Sequence, residues 1–423
     1  MSRPARRSTR LALATAVALL LGTTACGTDT ANGERTVEVW LMQHSVKPEL
    51  VQRVVDEFEQ QHAGVKVRVV EQKWDGIGEK VTSALESGDG PDVIEVGNTQ
   101  VARYVAGGGV RNLTLEVSDL DGDDWIPGLA EPGKIDGYQF GIPYYAANRV
   151  VVYRKDLFAE AGVERLPKTR EQWLEATRKL HQPEEGRQGI YLPGQNWYVL
   201  AGFIWDEGGN LAIEQSGQWS GALHTKEALR GMAYYQELQA LGNGPVGSDE
   251  AEPNHAEVFA DEEVAQLIAV PGEAEQIVNR NPDLRGKLGF FPVPGKSADE
   301  PGAVFTGGSV LILPEKSDER EMGYQFLKLL TSDKWQREIA TTMSYVPNRT
   351  TLSDVLKGHP GAAAMAKGAE NGHATPNSPS WAALESDNPV KRYQTDVLTG
   401  ADPTAAARKA SSEITSLLSA RPR

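Results

Sequence analysis

The chain has 423 residues but a single cysteine, Cys26, and only seven histidines, which are scattered along it. One cysteine cannot form a disulfide within the chain, and no cysteine–histidine cluster has the spacing of a zinc site. The sequence has no P-loop and no G-x-S-x-G motif either. These absences argue against a metal centre, a nucleotide hydrolase and a serine hydrolase, and we expect neither a metal nor a cofactor.

Long apolar runs are equally scarce. The most pronounced one, residues 11–21, follows four arginines and leads through small residues to Cys26. It is shorter than the roughly 20 residues that span a bilayer, and its order of basic, apolar and small residues predicts an export signal over residues 1–25. A cysteine directly after such a site resembles a bacterial lipobox, whose cysteine is diacylated. An ordinary secretory signal with an incidental cysteine is the alternative.

The segment after the predicted signal indicates how the protein is held. Two acyl chains anchor a protein stably at a membrane, whereas one does so only marginally. Residues 26–35 are mostly small and polar, which is typical of a flexible tether. The sequence therefore predicts a lipid-anchored protein at the extracellular face of the cell membrane.

Acidic residues outnumber basic ones, and the formal net charge is −15 at pH 7. The predicted signal contains four arginines and no acidic residue, so the remainder is more acidic still. Such a charge argues against nucleic acid or anionic lipid as a partner. Hydrophobic residues make up 40% of the chain and charged residues 24%, as in ordinary globular proteins, and the length suits two or three domains.

Strand-like and helix-like patterns alternate after the tether. The predicted strands cover 36–41, 65–70 and 92–96, and the predicted helices begin at Pro48 and cover 77–85 and 99–106. This order predicts a mostly parallel sheet with helices on both faces. Because ligands of such sheets bind beyond the carboxyl ends of the strands, the pattern nominates the loops 42–45, 72–76 and 97–100.

A second alternation of helices and strands extends to about residue 294 and predicts a second α/β lobe. Gly307 and Gly308 interrupt the pattern before a strand over 310–313, and an amphipathic helix follows from Met322. The tail beyond residue 362 is rich in alanine and predicted to be helical, with a break at 371–379.

Seven short segments stand in a characteristic order. They are 88–92 (GDGPD), 136–144 (DGYQFGIPY), 153–162 (YRKDLFAEAG), 167–173 (PKTREQW), 206–209 (DEGG), 306–309 (TGGS) and 345–347 (YVP). In this order and spacing they resemble the carbohydrate-binding solute-binding proteins of ABC importers, the group that includes the maltodextrin-binding proteins. The resemblance extends over nearly the whole chain beyond the tether.

This resemblance implies an α/β, two-lobed periplasmic-binding-protein-like fold of type II, with a ligand cleft between lobes joined by crossing strands. The first lobe would comprise 36–143 and 304–345, and the second 144–303 and 346–423. The lobes would close around an oligosaccharide by a hinge motion. The protein, a monomer, would then deliver the sugar to the transmembrane permease of an ABC importer without catalysing a reaction.

A sugar offers hydroxyls at its edges and apolar C–H faces, so its site needs amides or carboxylates together with flat aromatic rings. Glu273 stands where relatives carry a tryptophan, Trp197, Tyr198 and Trp381 stand near family aromatic contacts, and Gly308 lets the backbone approach the ligand. Solvated loops, helix capping and core packing are the alternatives. The candidate ligand contacts are Gln43, His44, Trp74, Asn98, Gln100, Tyr145, Asn148, Asn196, Trp197, Tyr198, Trp205, Glu273, Gly308, Ser309, Asn377 and Trp381.

The sequence constrains the sugar less than the fold. Residues 93–100 (VIEVGNTQ) and the loop with Trp74 resemble actinobacterial binding proteins for N-acetylglucosamine oligomers such as N,N′-diacetylchitobiose. Cellobiose, xylobiose and maltose-type sugars are the alternatives. A secreted glycosidase is the alternative from another class, and it would need two carboxylates facing each other across the cleft. A peptide receptor and a structural lipoprotein are weaker alternatives.

Overall fold

The computed structural model describes residues 35–43, 45–74 and 76–420. Its strands are β1 (Arg35–Met42), β2 (Val65–Gln72), β3 (Val93–Gly97), β4 (Lys134–Ile135), β5 (Tyr138–Gln139), β6 (Ile142–Asn148), β7 (Val150–Arg154), β8 (Ala212–Gln215), β9 (Gln218–Gly221), β10 (Gln266–Ala269), β11 (Leu288–Phe291), β12 (Val304–Ile312), β13 (Val346–Pro347) and β14 (Gly372–His373).

The helices alternate with these strands. They are α1 (Pro48–Gln61), α2 (Ile77–Ser87), α3 (Val101–Ala106), α4 (Pro127–Ala130), α5 (Lys155–Glu160), α6 (Arg170–Leu180), α7 (Trp197–Asp206), α8 (Lys226–Gln239), α9 (His255–Asp261), α10 (Glu273–Arg280), α11 (Arg320–Leu330), α12 (Asp333–Met343), α13 (Pro360–Ala369), α14 (Trp381–Ser386), α15 (Pro389–Leu398) and α16 (Pro403–Ser419). Short 3-10 helices include Asn98–Gln100 and Thr350–Gly358.

Helical periodicity explains why α1 forms where the sequence predicts it. Pro48 occupies the start of the helix, where its missing N–H is not needed. The apolar residues recur at helical spacing, and all of them are buried on one face: Leu50, Val51, Val54, Val55 and Phe58. The strands predicted at 36–41, 65–70 and 92–96 are confirmed as β1, β2 and β3.

The first sheet has seven strands in the order β13-β6-β12-β3-β1-β2, and β14 also pairs with β12. β1 is parallel to β2 and to β3, but β12 is antiparallel to both β3 and β6. The prediction of a mostly parallel sheet was therefore wrong, since half of the strand pairings in this sheet are antiparallel. The cause is β12, which comes from much later in the chain and runs opposite to β3.

Gly307 and Gly308 do not form a break before the strand predicted at 310–313; they lie inside β12, which begins at Val304. The register shifts just after them, between Ser309 and Val310, which marks a β-bulge. Gly308 has a φ of 145°, and a Cβ on it would lie 2.2 Å from the carbonyl oxygen of Tyr145. Glycine is therefore required at this position, where β12 pairs with β6.

A second, three-stranded sheet has the order β10-β7-β11, and β7 is antiparallel to both neighbours. Only Arg149 separates β6 of the first sheet from β7 of the second. We call β6 and β12 the crossing strands, because their ends lead from the first lobe to the second. The predicted lobe boundaries stay predictions; β13, placed by them in the second lobe, pairs with β6 in the first sheet.

Hydrophobic cores fill both lobes. One packs the first sheet against α1 and α11, with Phe58 against Phe326, and another fills the second lobe around Trp173 and Phe203. A third contains residues of both sheets, such as Ile94 and Leu267, and is continuous between them. No helix in the described part of the chain combines the length and apolarity needed to cross a bilayer.

Candidate functional site

A cleft of about 440 Å³ opens where the two sheets meet. Trp74 lines it from the first lobe, and residues 270–273 and Gln276 line it from the second; we call these its two walls, and the residues of the crossing strands its floor. Its lining residues are Trp74, Tyr145, Ala147, Val270, Pro271, Gly272, Glu273, Gln276, Gly308, Ser309, Met343, Ser344, Tyr345 and Met365. The size suits a small organic ligand.

The loops after β1, β2 and β3 meet at one edge of the first sheet, as the parallel pairing requires. Trp74 follows β2 and is 47% exposed. A Cβ on Gly97, the last residue of β3, would lie 3.6 Å from the Trp74 ring and 3.7 Å from Gln100. The backbone N–H of Gln43 donates to the carbonyl of Gln72 (2.7 Å). Trp74, Gln43 and Gln100 are thus brought to one edge, and Trp74 lines the cleft.

Two other candidates from these loops have different outcomes. The Asn98 amide is buried and donates to the carbonyl of Thr306 (2.8 Å), so it ties the loop after β3 to β12. Its role as a ligand contact stays a prediction, and in this conformation its amide N–H group makes a structural hydrogen bond. His44 and Cys26 lie outside the described residues.

The floor of the cleft rests on a buried hydrogen-bond network centred on Glu95. Tyr145 donates its O–H to Glu95 Oε1 (3.1 Å), and Ser309 donates to the Tyr145 oxygen (3.1 Å). Glu95 Oε2 accepts from the Met42 N–H (2.9 Å) and from the Ser45 hydroxyl (2.8 Å). The network therefore links the end of β1 to both crossing strands.

Glu95 itself is fully buried within β3. Burial raises the pKa of its carboxyl, although the four donors around it act in the opposite direction. Above this network, the Tyr145 ring stacks on Tyr345, with centroids 4.4 Å apart and planes 11° apart. The pair presents an aromatic surface at the cleft floor, as a sugar face requires. Tyr144, the neighbouring tyrosine, is fully buried in the core.

Glu273 is the polar group of the opposite wall. It is the first residue of α10 and lines the cleft. Its Oε1 accepts from the Val270 N–H (3.3 Å), and its Oε2 accepts from His255 Nε2. The Glu273 carboxylate therefore lies at the cleft, and its role as an acceptor for a sugar hydroxyl stays a prediction.

A second set of side chains, the Tyr198 cluster, connects the lobes; it consists of Thr99, Arg149, Tyr198 and Glu385. The Tyr198 ring lies between the Arg149 guanidinium (4.3 Å to the centroid) and Phe305 (4.9 Å between centroids). Its hydroxyl donates to Glu385 Oε1 (3.2 Å). Burial raises the pKa of Glu385, which also accepts from Thr99 of the first lobe. The cluster therefore ties the lobes together through the Tyr198 ring and the Glu385 carboxylate.

Several candidates lie away from the cleft. Trp197 and Trp381 are in the second-lobe core, 3% and 0% exposed. Trp205 is buried and stacks on His373 (5.3 Å, 12°). Asn196 caps α7 by accepting from the Val199 N–H (3.3 Å). The ligand-contact interpretation of these residues stays a prediction, and the conformation described gives each a structural role.

Asn148 and Asn377 are polar groups held by backbone. Asn148 is buried in β6, and its Oδ1 has no hydrogen-bond partner among the described residues. Asn377 donates to the carbonyls of Glu131 (3.2 Å) and Lys134 (3.0 Å), which belong to the first lobe. Both therefore lie where the lobes meet, but neither lines the cleft described above.

The sequence did not single out Ser45, Glu95, His255, Tyr345 or Glu385 as site residues, although Ser45 ends the nominated loop 42–45. Glu95 carried a usable signal, since a glutamate inside the apolar strand 93–97 has to be buried with hydrogen-bond donors around it. Tyr345 lay in a segment used for the resemblance but was not proposed as a contact. The other three carry no local pattern that distinguishes them from ordinary polar residues.

Comparison with known proteins agrees with this architecture. The family model for bacterial extracellular solute-binding proteins matches residues 44–337. The diacetylchitobiose binding protein DasA of Streptomyces coelicolor is 37% identical over 391 residues, which cover 92% of this chain and 90% of that protein. Its identity to this chain extends well beyond any single motif.

Two solved structures share the fold at lower identity. The sugar-binding protein MalE of Xanthomonas citri has a TM-score of 0.80 at 23% identity and covers 90% of this chain and 97% of its own. The cyclic α-maltosyl-1,6-maltose binding protein of Arthrobacter globiformis has a TM-score of 0.77 at 20% identity, with 91% and 99% covered. The two-lobed α/β fold expected from the sequence is confirmed.

Proposed function

The chain belongs to the bacterial extracellular solute-binding protein family, and on that premise we propose that it is a high-affinity receptor for a chito-oligosaccharide, with N,N′-diacetylchitobiose as the first candidate ligand. It binds the sugar outside the cell and delivers it to the permease of an ABC importer. The observation that carries this proposal is the 37% identity over 92% of the chain to a diacetylchitobiose binding protein.

The chemistry of the cleft supports a saccharide ligand. Trp74 on one wall and the Tyr145–Tyr345 pair on the floor supply flat apolar surfaces for sugar rings. Glu273 on the opposite wall and Ser309 on the floor supply hydrogen-bonding groups for ring substituents. An acetamido group, with one donor, one acceptor and a methyl, suits a site that combines a carboxylate with aromatic neighbours.

The same cleft supports a receptor rather than a glycosidase. Among its described lining residues Glu273 is the single carboxylate, whereas a typical glycosidase has two carboxyl groups about 5 to 9.5 Å apart across the scissile bond. We therefore propose that the protein does not hydrolyse its ligand. Incubation with chromogenic N-acetylglucosaminides is expected to give saturable binding without turnover.

The proposed mode of action is closure of the two lobes about the crossing strands. Ligand shifts such an equilibrium only by its differential affinity for the open and closed forms. Contacts to Trp74 from one lobe and Glu273 from the other exist together only when both walls reach the sugar. The closed monomer is then the form offered to the permease.

Titration with a panel of sugars tests this function. We expect N,N′-diacetylchitobiose to bind with micromolar or tighter affinity, about −8 kcal/mol or better. Cellobiose, xylobiose and maltose are the comparison ligands, and calorimetry together with tryptophan fluorescence is the measurement. Tight binding of one of these three with no response to N,N′-diacetylchitobiose would change the proposed ligand but support the proposed role as a sugar receptor. Absence of binding to every saccharide tested would contradict the proposal.

Trp74→Ala tests the stacking surface. The ring is about half exposed and lines the cleft, so its removal should weaken sugar affinity about tenfold, or about 1.4 kcal/mol, without changing the free energy of unfolding. Calorimetric titration measures the affinity. Tyr138→Ala, at an aromatic residue that is 54% exposed and does not line the cleft, is the control. Equal affinity of the Trp74 variant and the wild type would clear Trp74 of this role.

We also propose that Cys26 is diacylated and holds the protein at the outer face of the membrane. The proposal rests on the order of basic, apolar and small residues before the single cysteine, together with the extracellular character of the family. Cys26→Ser should move the protein from the membrane fraction to the medium, as measured by immunoblotting of both fractions. A variant that stays with the membrane contradicts the anchor.

A further inference from the structure

Behind the cleft wall, Glu273 is held by a residue that the proposed function does not use. Its Oε2 accepts a hydrogen bond from Nε2 of His255, the first residue of α9. Its Oε1 accepts from the backbone N–H of Val270, the residue directly after β10 (3.3 Å). One oxygen is thus tied to the backbone of its own turn, and the other is tied to a side chain from a neighbouring helix.

The hydrogen bond to Glu273 is the single polar contact of the His255 side chain among the described residues. Its side chain is 3% exposed, and its Nδ1 is buried without a hydrogen-bond partner among the described residues. Because a carboxylate oxygen accepts, Nε2 carries the proton that is shared with Glu273. The backbone N–H groups in the first turn of α10 further favour a negative side chain at Glu273. The ring therefore has one polar function in the fold, which is to hold this carboxylate.

Glu273 keeps acceptor capacity toward the cleft. A carboxylate has about four lone-pair directions, and the two contacts described occupy two of them. Its side chain is 18% exposed and lines the cleft. A flexible glutamate would lose rotamer freedom when it bound a ligand, which weakens binding by about two- to tenfold. A glutamate already fixed by His255 avoids that cost.

We propose that His255 is a positioning residue for ligand recognition: it fixes Glu273 as a hydrogen-bond acceptor that selects sugars offering a hydroxyl or amide N–H at this wall. The inference rests on the proposed function, since it takes the ligand of the cleft to be a saccharide. It adds to that function a residue that does not touch the ligand, and it predicts how the two side chains are coupled.

A double-mutant cycle tests the coupling. N,N′-diacetylchitobiose is titrated by calorimetry into the wild type, His255→Phe, Glu273→Ala and the double variant, each shown by thermal melting to be folded at the assay temperature. We expect Glu273→Ala to lose at least tenfold in affinity, His255→Phe to lose about five- to tenfold, and the double variant to lose no more than Glu273→Ala alone. Losses that multiply in the double variant would overturn the inference, because His255 would then act independently of Glu273.

Two further variants keep the test decisive if phenylalanine disturbs the packing. His255→Gln can offer an N–H donor to Glu273, and it should stay within about threefold of wild-type affinity. His224→Phe changes a histidine that hydrogen-bonds Ser411 and does not line the cleft, and it should leave affinity unchanged. A His255→Gln variant as weak as His255→Phe contradicts positioning by a hydrogen bond. Failure of the wild type to bind any sugar would instead remove the proposed function itself.

Discussion

Trp197→Ala is expected to lower the free energy of unfolding by about 4 kcal/mol, the range for removing a large aromatic side chain from a core. The indole is 3% exposed and packs against Tyr198 (4.1 Å between centroids) and Trp381 (6.2 Å) in the second-lobe core. Its removal leaves a cavity that the neighbouring rings fill only in part. Urea unfolding followed by circular dichroism measures the loss.

The sequence suggested a different role for Trp197, as a stacking platform, and the two interpretations predict different data. A platform predicts a more than tenfold loss of sugar affinity with little change in stability. A core residue predicts a large loss of stability and a smaller change in the affinity of the folded fraction. Trp74→Ala is the matched control, because its ring is exposed and its removal should leave the unfolding curve unchanged. An unfolding midpoint equal to wild type for Trp197→Ala would contradict the core assignment.

Glu95→Leu is expected to destabilise the protein by about 3 kcal/mol. Leucine leaves the Met42 N–H without its acceptor and removes the group that the Ser45 and Tyr145 hydroxyls share, and a buried unsatisfied donor costs about 1–3 kcal/mol. Unfolding in urea at a fixed pH measures the effect. Glu71→Leu, at an exposed position of β2 in the same sheet, is the control and should change stability by about 0.5 kcal/mol or less.

The charge of Glu95 adds a pH dependence with a definite sign. Burial raises the pKa of Glu95 in the folded protein, so the folded state binds this proton more tightly than the unfolded state does. The stability that follows is present at low pH and is lost as the pH rises through the folded pKa. Relative to Glu95→Gln, which does not titrate, the wild type should therefore lose stability as the pH rises above about 4.3, the ordinary glutamate pKa. A pH-independent difference would contradict the buried, raised pKa.

Much of the secondary structure was predictable because it depends on local spacing. Phe58 and its apolar neighbours on α1 recur every three or four residues, and the same rule located α2 and α11. The direction of β12 was not predictable, because it depends on which strands it meets after a long excursion. Gly308 was interpreted as a break for the same reason, since the need for a missing Cβ arises from a strand more than a hundred residues away.

The candidate site residues also differ in whether local sequence signals or long-range packing determine their position. Trp74 lies in a loop that the strand pattern nominated, whereas Glu273 was nominated by the resemblance, and both line one cleft. Trp197 and Trp381 have the same side-chain chemistry as Trp74, but their burial is decided by helices that pack on them from elsewhere in the chain. His255 meets Glu273 through the packing of α9 on α10, which no spacing between the two residues announces.

The place of β12 between β3 and β6 has a consequence for the order in which the protein can assemble. Asn98 and Thr306, which hydrogen-bond where β3 meets β12, are 208 positions apart. A polypeptide made from its amino end therefore exposes β1, β2, β3 and β6 long before the strand that joins them has been synthesised. The edges of β3 and β6 that pair with β12 stay unpaired while residues of the second lobe are synthesised. An unpaired edge can bind another strand. Closing so long a loop costs conformational entropy, so the first sheet stays incomplete until β12 has been made.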